Sequence, residues 1–193
     1  MQFDHELGIR QMTEKLERTD DPRRRRMLEV VLDHMVAENE GDIDRIMAGI
    51  SPRADYHVWS TPEDIGAKGF DGVREYYTGF FAIKGHFFEN DLERILVDDD
   101  CVVTEATMRL IKPGSVLAGD AYGPGTGPMD PGELGAWDPE GHYVIENRVV
   151  VFWPFDEDLK LIGEDAYSGA IRSIRKLAAD ELPPAYRELL APS

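Results

Sequence analysis

Between Asp21 and Gly41 the chain carries apolar side chains at Met27, Leu28, Val31, Leu32, Met35 and Val36. That spacing follows the 3.6-residue period of a helix and draws a stripe wide enough to demand burial. The ends are written as well. Asp21 before Pro22 reads as an N-cap followed by proline at the first helical position, and Gly41 after Glu40 reads as the left-handed residue that closes the helix. A helix with so broad an apolar face needs a broad apolar partner, and the second half of the chain supplies it. Residues 87–97, 102–111, 143–153 and 159–167 read as long strands. The acidic triplets Asp98-Asp99-Asp100 and Asp156-Glu157-Asp158 fall between them as turns.

Shorter elements fill in the order. Residues 3–18 predict an amphipathic helix, residues 42–49 a short helix halted before Pro52, residues 54–60 a strand, and residues 69–83 a helix with aromatic side chains at Phe70, Tyr76, Tyr77, Phe80 and Phe81. The part after Ser168 reads as one more helix and an extended end held by Pro183 and Pro184. A chain of 193 residues supports one real core. Its formal charge of −17 repels phosphate backbones and anionic lipid heads, so neither nucleic acid nor membrane is expected as a partner. The basic run Arg23 to Arg26 lies among acids and reads as solvated or inter-subunit. One cysteine, Cys101, excludes an intrachain disulfide, and with no apolar run long enough to span a bilayer the expected compartment is the cytoplasm.

Residues 113–142 differ from the rest, with eight glycines and five prolines. Such a stretch cannot build a core of its own and is read as a mobile cover near a pocket or a subunit edge, anchored by Trp137 and Tyr143. Gly123-Pro124-Gly125-Thr126-Gly127 is no phosphate cradle, because no helical pattern follows it.

The order of helix, short helix, strand, helix and four strands resembles the nuclear transport factor 2-like superfamily. The run Ala37-Glu38-Asn39-Glu40-Gly41-Asp42-Ile43-Asp44 is similar to the family's helix end and following short helix, and Gly69-Phe70-Asp71-Gly72-Val73-Arg74-Glu75-Tyr76-Tyr77 to its glycine-led helix start. The resemblance implies an α+β fold, a curled antiparallel sheet forming a cone (an α+β barrel) with helices packed over its concave face. It divides the chain into an accessory helix and linker at 1–26, the family domain at 27–168 with an insertion at 113–142, and a helix and tail at 169–193. It also implies an apolar pocket for a small molecule and a homodimer. The superfamily spans isomerases, dehydratases, epoxide hydrolases, SnoaL-type polyketide cyclases and members that only bind or assemble, so the fold alone does not choose a reaction.

The resemblance to ketosteroid isomerase places that enzyme's pocket tyrosine on His34. Its general base falls near Val58 or Ser60 and its acidic hydrogen-bond donor near Val151, none of which suits steroid isomerisation. Leu161-Ile162-Gly163-Glu164-Asp165 is similar to the late aspartate of SnoaL-type cyclases, which makes Asp165 the expected base. His34 either faces the pocket or pairs with Glu38 one turn on at the surface. Alternation in the first strand puts Asp55, His57 and Trp59 on one face and Tyr56, Val58 and Ser60 on the other. Asp55-His57 is the chemical candidate, and the family register favours Tyr56 and Ser60. Asp165 shares a strand face with Leu161 and Tyr167. The expected catalytic set is therefore Asp165, His34 and His57, with Tyr56, Trp59, Ser60, Phe88, Trp153 and Tyr167 as substrate contacts. Two alternatives stay open: a non-catalytic binding domain, and a pocket filled by Trp59, Phe88 and Trp153. Glu105 with Arg109 and Glu146 with Arg148 alternate in neighbouring strands and read as structural ion pairs made across the sheet. His57, His86 and His142 lack metal-ligand spacing, so neither metal nor cofactor is expected.

Overall fold

The computed structural model of the chain describes residues 3–59, 63–119 and 132–191. Helix α1 (Leu7–Glu17) lies ahead of α2 (Pro22–Glu40), the wide apolar helix. Both of its ends form as the sequence implies. Asp21 Oδ1 accepts from Arg24 N at 2.9 Å, and Gly41 takes a φ of 73°. Asp42 caps α3 (Ile43–Gly49) in the same way, accepting from Arg45 N at 3.0 Å.

Strand β1 is limited to Val58–Trp59, shorter than expected, because the backbone before it bonds elsewhere. Asp55 N donates to Ile162 O, Tyr56 N to Ala67 O and His57 N to Asp165 Oδ1. The side chains still alternate: Ala54, Tyr56 and Val58 are buried, while Asp55 and Trp59 are exposed. Helix α4 (Gly69–Ala82) follows, then β2 (Phe88–Val97), β3 (Cys101–Pro113), the single turn α5 (Gly114–Leu117), β4 (His142–Pro154), β5 (Asp165–Leu177) and α6 (Pro184–Leu190).

The sheet runs β1-β5-β4-β3-β2, antiparallel except for β1, which lies parallel to β5. It is curled, and β1 and β2 remain its two free edges instead of closing into a barrel. The sequence reading places the last strand too early. Residues 155–164 turn beside Ile50, with isolated bridges from Leu161 to Ile50 and Phe155, and the strand proper starts at Asp165. It continues to Leu177 where a helix was expected. Ile171, Ile174 and Leu177 have helical spacing, but β4 offers a partner along its whole length, pairing Ile174 with Ile145 and Leu177 with His142. Tertiary pairing overrides the local period.

The main core lies between the concave face and the helices, with Met12, Met27, Leu28, Val31, Ile46, Tyr77 and Val102 among its fully enclosed side chains. The basic run ties this helical layer down: Arg23 donates to Asp99 O at 2.7 Å, and Arg25 donates to the carbonyls of Leu16 and Thr19. The ion pairs on the strands choose cross-strand partners, which sit closer than residues along one strand. Arg109 meets Glu89, Arg148 meets both Glu93 and Glu105, and Glu146 meets Arg172. Residues 120–131, the middle of the glycine-rich segment, lie outside the described residues, and with them the expected role as a cover. Beyond them Trp137 stands edge-on to Tyr143 at 4.9 Å. No helix among the described residues is long and apolar enough to cross a membrane.

The cap at Asp21 gives a direct test of how α2 begins. Asp21→Ala should lower unfolding free energy by about 1 kcal/mol, read by urea denaturation. Asp20→Ala, one residue earlier, should change it by less than about 0.5 kcal/mol. Equal effects would show that the cap does not hold the helix.

Candidate functional site

One rung of the sheet fixes which side chains face inward. Val58, Ala166, Val151 and Thr104 are consecutive partners across β1, β5, β4 and β3, and all of them line one cavity. Its volume is about 150 Å³. The sheet forms the floor, and residues of α1, α2 and α4, including Ile9, Met35 and Phe80, form the roof. The walls are chiefly apolar or aromatic, with Phe88 and Trp153 among them. Trp153 uses its indole N–H on Thr104 Oγ1 at 3.1 Å, so the ring is held in place.

Two carboxyl side chains enter this apolar space. Glu164, just before β5, shares the inward parity of Ala166 and Ser168 and lines the cavity with them. Tyr77 of α4 donates its hydroxyl proton to Glu164 Oε2 at 2.8 Å. His34 Nε2 stands 2.8 Å from the Tyr77 oxygen and 3.6 Å from Glu164 Oε2. Because the single phenolic proton points at Glu164, His34 must offer Nε2–H to the tyrosine oxygen, a tautomer assigned from the network. His34 itself is 3% exposed and packed edge-on to Trp153; it does not line the cavity and is linked to it by hydrogen bonding through Tyr77 to Glu164.

Glu38, one helical turn after His34, is the second carboxyl. It is buried, lines the cavity, and has neither ion pair nor hydrogen bond from its side chain among the described residues. Burial pushes its carboxyl well above the usual carboxylate range, and the negative charge of Glu164 pushes it the same way. Burial and Glu164 also raise Tyr56, Tyr76 and Tyr77, which favours their protonated form. The cavity thus offers one carboxyl whose surroundings favour its protonated form and another that accepts a hydrogen bond, an arrangement suited to separate acid and base roles.

The sequence-predicted residues divide between the two faces of the sheet. Tyr56 is enclosed behind Tyr76 and Tyr77, beside the cavity but not on its wall. Phe88 and Trp153 line it without filling it. Asp165 does not enter it: with Ala166 inward, the pleat turns Asp165 and Tyr167 outward. There Asp165 Oδ1 accepts from His57 N at 3.2 Å, and its pKa is raised by partial burial against the opposing charge of His57. His57 joins Asp64 at 2.7 Å and Lys68 on the same outer side, with Asp55 at 3.8 Å. Lys68 and backbone donors hold Asp64 well below the usual range. Trp59 stacks on His57 and Tyr167 and is exposed. Ser60 lies outside the described residues. Sequence reasoning gave Glu38 no role in the site beyond a surface partner for His34, and quoted Glu164 and Tyr77 in its motifs without assigning either to the site. The helical spacing of 34 and 38 on a buried stripe was the signal for the first. Glu164 needed the true start of β5.

The family model for the SnoaL-like domain matches residues 31–162, more than half of the chain. The chain belongs to the SnoaL-like family. His34, Glu38 and Tyr77 fall inside the match, and Glu164 lies just beyond its end. Solved structures agree on the fold. A protein described as a SnoaL-like polyketide cyclase from Jannaschia sp. CCS1 gives a TM-score of 0.54 at 14% identity, covering 78% of this chain and 90% of that one. Bal32a, from a soil-derived mobile gene cassette, gives 0.50 at 14%, with 76% and 91% covered. An epoxide hydrolase of the LEH-like kind from M. tuberculosis gives 0.50 at 17%, with 77% and 86% covered. No curated protein matches the sequence.

A carboxyl raised by burial has a definite pH signature. Below the ordinary glutamate range Glu38 is protonated whether the chain is folded or not. Above it the unfolded chain releases the proton while the folded one keeps it, so stability falls as pH rises toward the folded value. Glu38→Gln should remove that slope and raise stability at pH 8 by at least about 1 kcal/mol, or about 2–4 °C in Tm for a chain of this size. The gain should vanish at pH 4. A loss of stability at pH 8 would mean that Glu38 is ionised and satisfied.

Proposed function

We propose that this SnoaL-like domain is a cofactor-independent enzyme that moves a proton at a carbon beside a carbonyl, in an isomerisation or cyclisation of a largely apolar, polyketide-like substrate. The observation that carries this reading is the pair of carboxyl groups in one apolar cavity, one burdened by burial and the other held by Tyr77. In the proposed step Glu164 takes the carbon-bound proton, and the electron pair of that bond moves into the adjacent carbonyl to give an enolate. Glu38, protonated, donates a hydrogen bond to the forming oxyanion. The enolate is then either reprotonated by Glu164 at a different carbon of its conjugated system, or bonds through its carbon to a second carbonyl carbon whose oxygen takes the proton from Glu38, after which the proton on Glu164 passes to Glu38 and restores both groups. Tyr77 and His34 are positioning residues that fix the direction of the Glu164 carboxylate. The pocket carboxylate expected at Asp165 is assigned instead to its inward neighbour.

A test needs no knowledge of the natural substrate. Cyclic and linear 1,3-diketones incubated with the protein in D2O should exchange their central protons faster than in buffer, as seen by NMR. Glu164→Gln should slow that exchange by about a hundredfold or more, with Glu38→Gln also impaired. Diketones that bind without enhanced exchange would favour the non-catalytic binding reading.

We also propose a homodimer built on the outer face of the sheet. Trp59, Phe152 and Tyr167 are exposed there, with Tyr167 packed between the rings of Trp59 and Phe152. A contiguous aromatic patch of this kind is unusual on a solitary chain. The free Cys101 is compatible with the reducing cytoplasm as its setting. Light scattering at micromolar concentration should give twice the 21.8 kDa of one chain, and Tyr167→Lys should halve it. A parent mass of one chain would contradict the dimer.

A further inference from the structure

The far end of the cavity has a chemistry that the proton-transfer reading leaves unused. On β3 the inward positions run from Thr104 through Met108 to Lys112, and all three line the cavity. Lys112 is 6% exposed, yet its side chain has no ion pair or hydrogen bond among the described residues. Burial alone pulls its ammonium down to about 8, which marks a cation held in an apolar setting without compensation. A second anomaly lies beside it. Asn90 and Asn147 are the two cross-strand partners of Met108, they line the same cavity, and each has a buried side-chain oxygen with no partner. Buried polar groups in a folded protein normally find partners. Three such groups opening into one cavity point to a ligand that supplies what they lack.

The charges fix which ligand. Glu38 and Glu164 stand at one end, and Lys112 stands eight residues along β3 from Thr104, the rung of Ala166. That is about 26 Å of extended strand, shortened by the reach of the side chains. An acidic group is repelled at the glutamate end and drawn to the lysine end. Between them the wall is apolar, with Ala106, Leu110 and Val149, and is interrupted by the two amides, which suit hydroxyl groups on a chain. We propose that the cavity binds an elongated carboxylic acid, its carboxylate against Lys112 and its chain running past Asn90 and Asn147 toward Glu38 and Glu164. The acid deepens the functional reading by naming a substrate class, and it rests on that reading only for the end that would react.

Binding can be measured apart from chemistry, with decanoate and decanol as probes that differ only in the head group. Isothermal titration at pH 7 should show one decanoate per chain, bound at least tenfold more tightly than decanol. Lys112→Met, checked for folding by circular dichroism, should erase or invert that preference while decanol binding persists. Glu38→Gln and Glu164→Gln should retain it, since neither holds the carboxylate. The comparison of the two probes on the unmodified protein stands even if the lysine variant fails to fold. Equal affinity for acid and alcohol, no binding of either, or an unchanged preference in Lys112→Met would each overturn the proposal. Failure of the diketone exchange assay with the acid preference intact would remove the reaction and leave the ligand class standing.

Discussion

Helix α2 must bury its apolar face against a curled sheet, and that face carries His34 and Glu38 one turn apart. Neither can stay unattended in such surroundings. The helix meets the demand in two ways. His34 is given a partner, Tyr77, which passes the contact on to Glu164. Glu38 is given none among the described residues, and burial and the charge of Glu164 both shift it toward its protonated form. The position of β5 follows from the same constraint, because Glu164 faces inward only when the strand begins at Asp165. The cavity is therefore shaped by how two polar groups on a core helix are accommodated.

The pleat divides the molecule's titratable groups into two communities. Inside are His34, Tyr77, Glu38 and Glu164, with Lys112 farther along β3, in a buried setting with few partners among the described residues. Outside are Asp55, His57, Asp64, Lys68 and Asp165, where opposite charges are abundant and each carboxylate has donors. Asp64 shows the outer condition most clearly, being held low by Lys68 and three further donors. Groups that satisfy one another so fully have little reactivity left to offer. The inner community keeps an acid and an acceptor poised against a single space, which is the condition acid and base chemistry requires.

Much of the fold was legible in the sequence because its signals were local. Asp21-Pro22 and Glu40-Gly41 bracket α2 as caps do, and the acidic triplet at Asp98 marks the β2–β3 turn. The family order of elements supplied the rest of the architecture. Errors arose where a distant partner decided the outcome. Ile171, Ile174 and Leu177 have a helical period, yet β4 draws them into a strand. Shifting the start of β5 reversed the expected facing of the segment, and a change of one position exchanges core for surface in a strand. Asp165 was therefore chosen where Glu164 faces the cavity. His34 was found by family position, but its partner on α4 lies 43 residues away and no spacing rule reaches that far. Lys112 gave no signal at all, since a lysine in an alternating strand reads as an outward residue until the register is known.

The central claim is that Glu38 carries a proton in the folded protein at neutral pH, with Glu164 beside it. Labelling glutamate with 13C at the side-chain carboxyl carbon and recording the carboxyl resonances through a pH titration addresses this directly. The account predicts one resonance that keeps the position of a protonated carboxyl at pH 7 and is missing from the spectrum of Glu38→Gln. A spectrum in which every glutamate is ionised at pH 7 would contradict it, and with it the division of acid and base roles between Glu38 and Glu164.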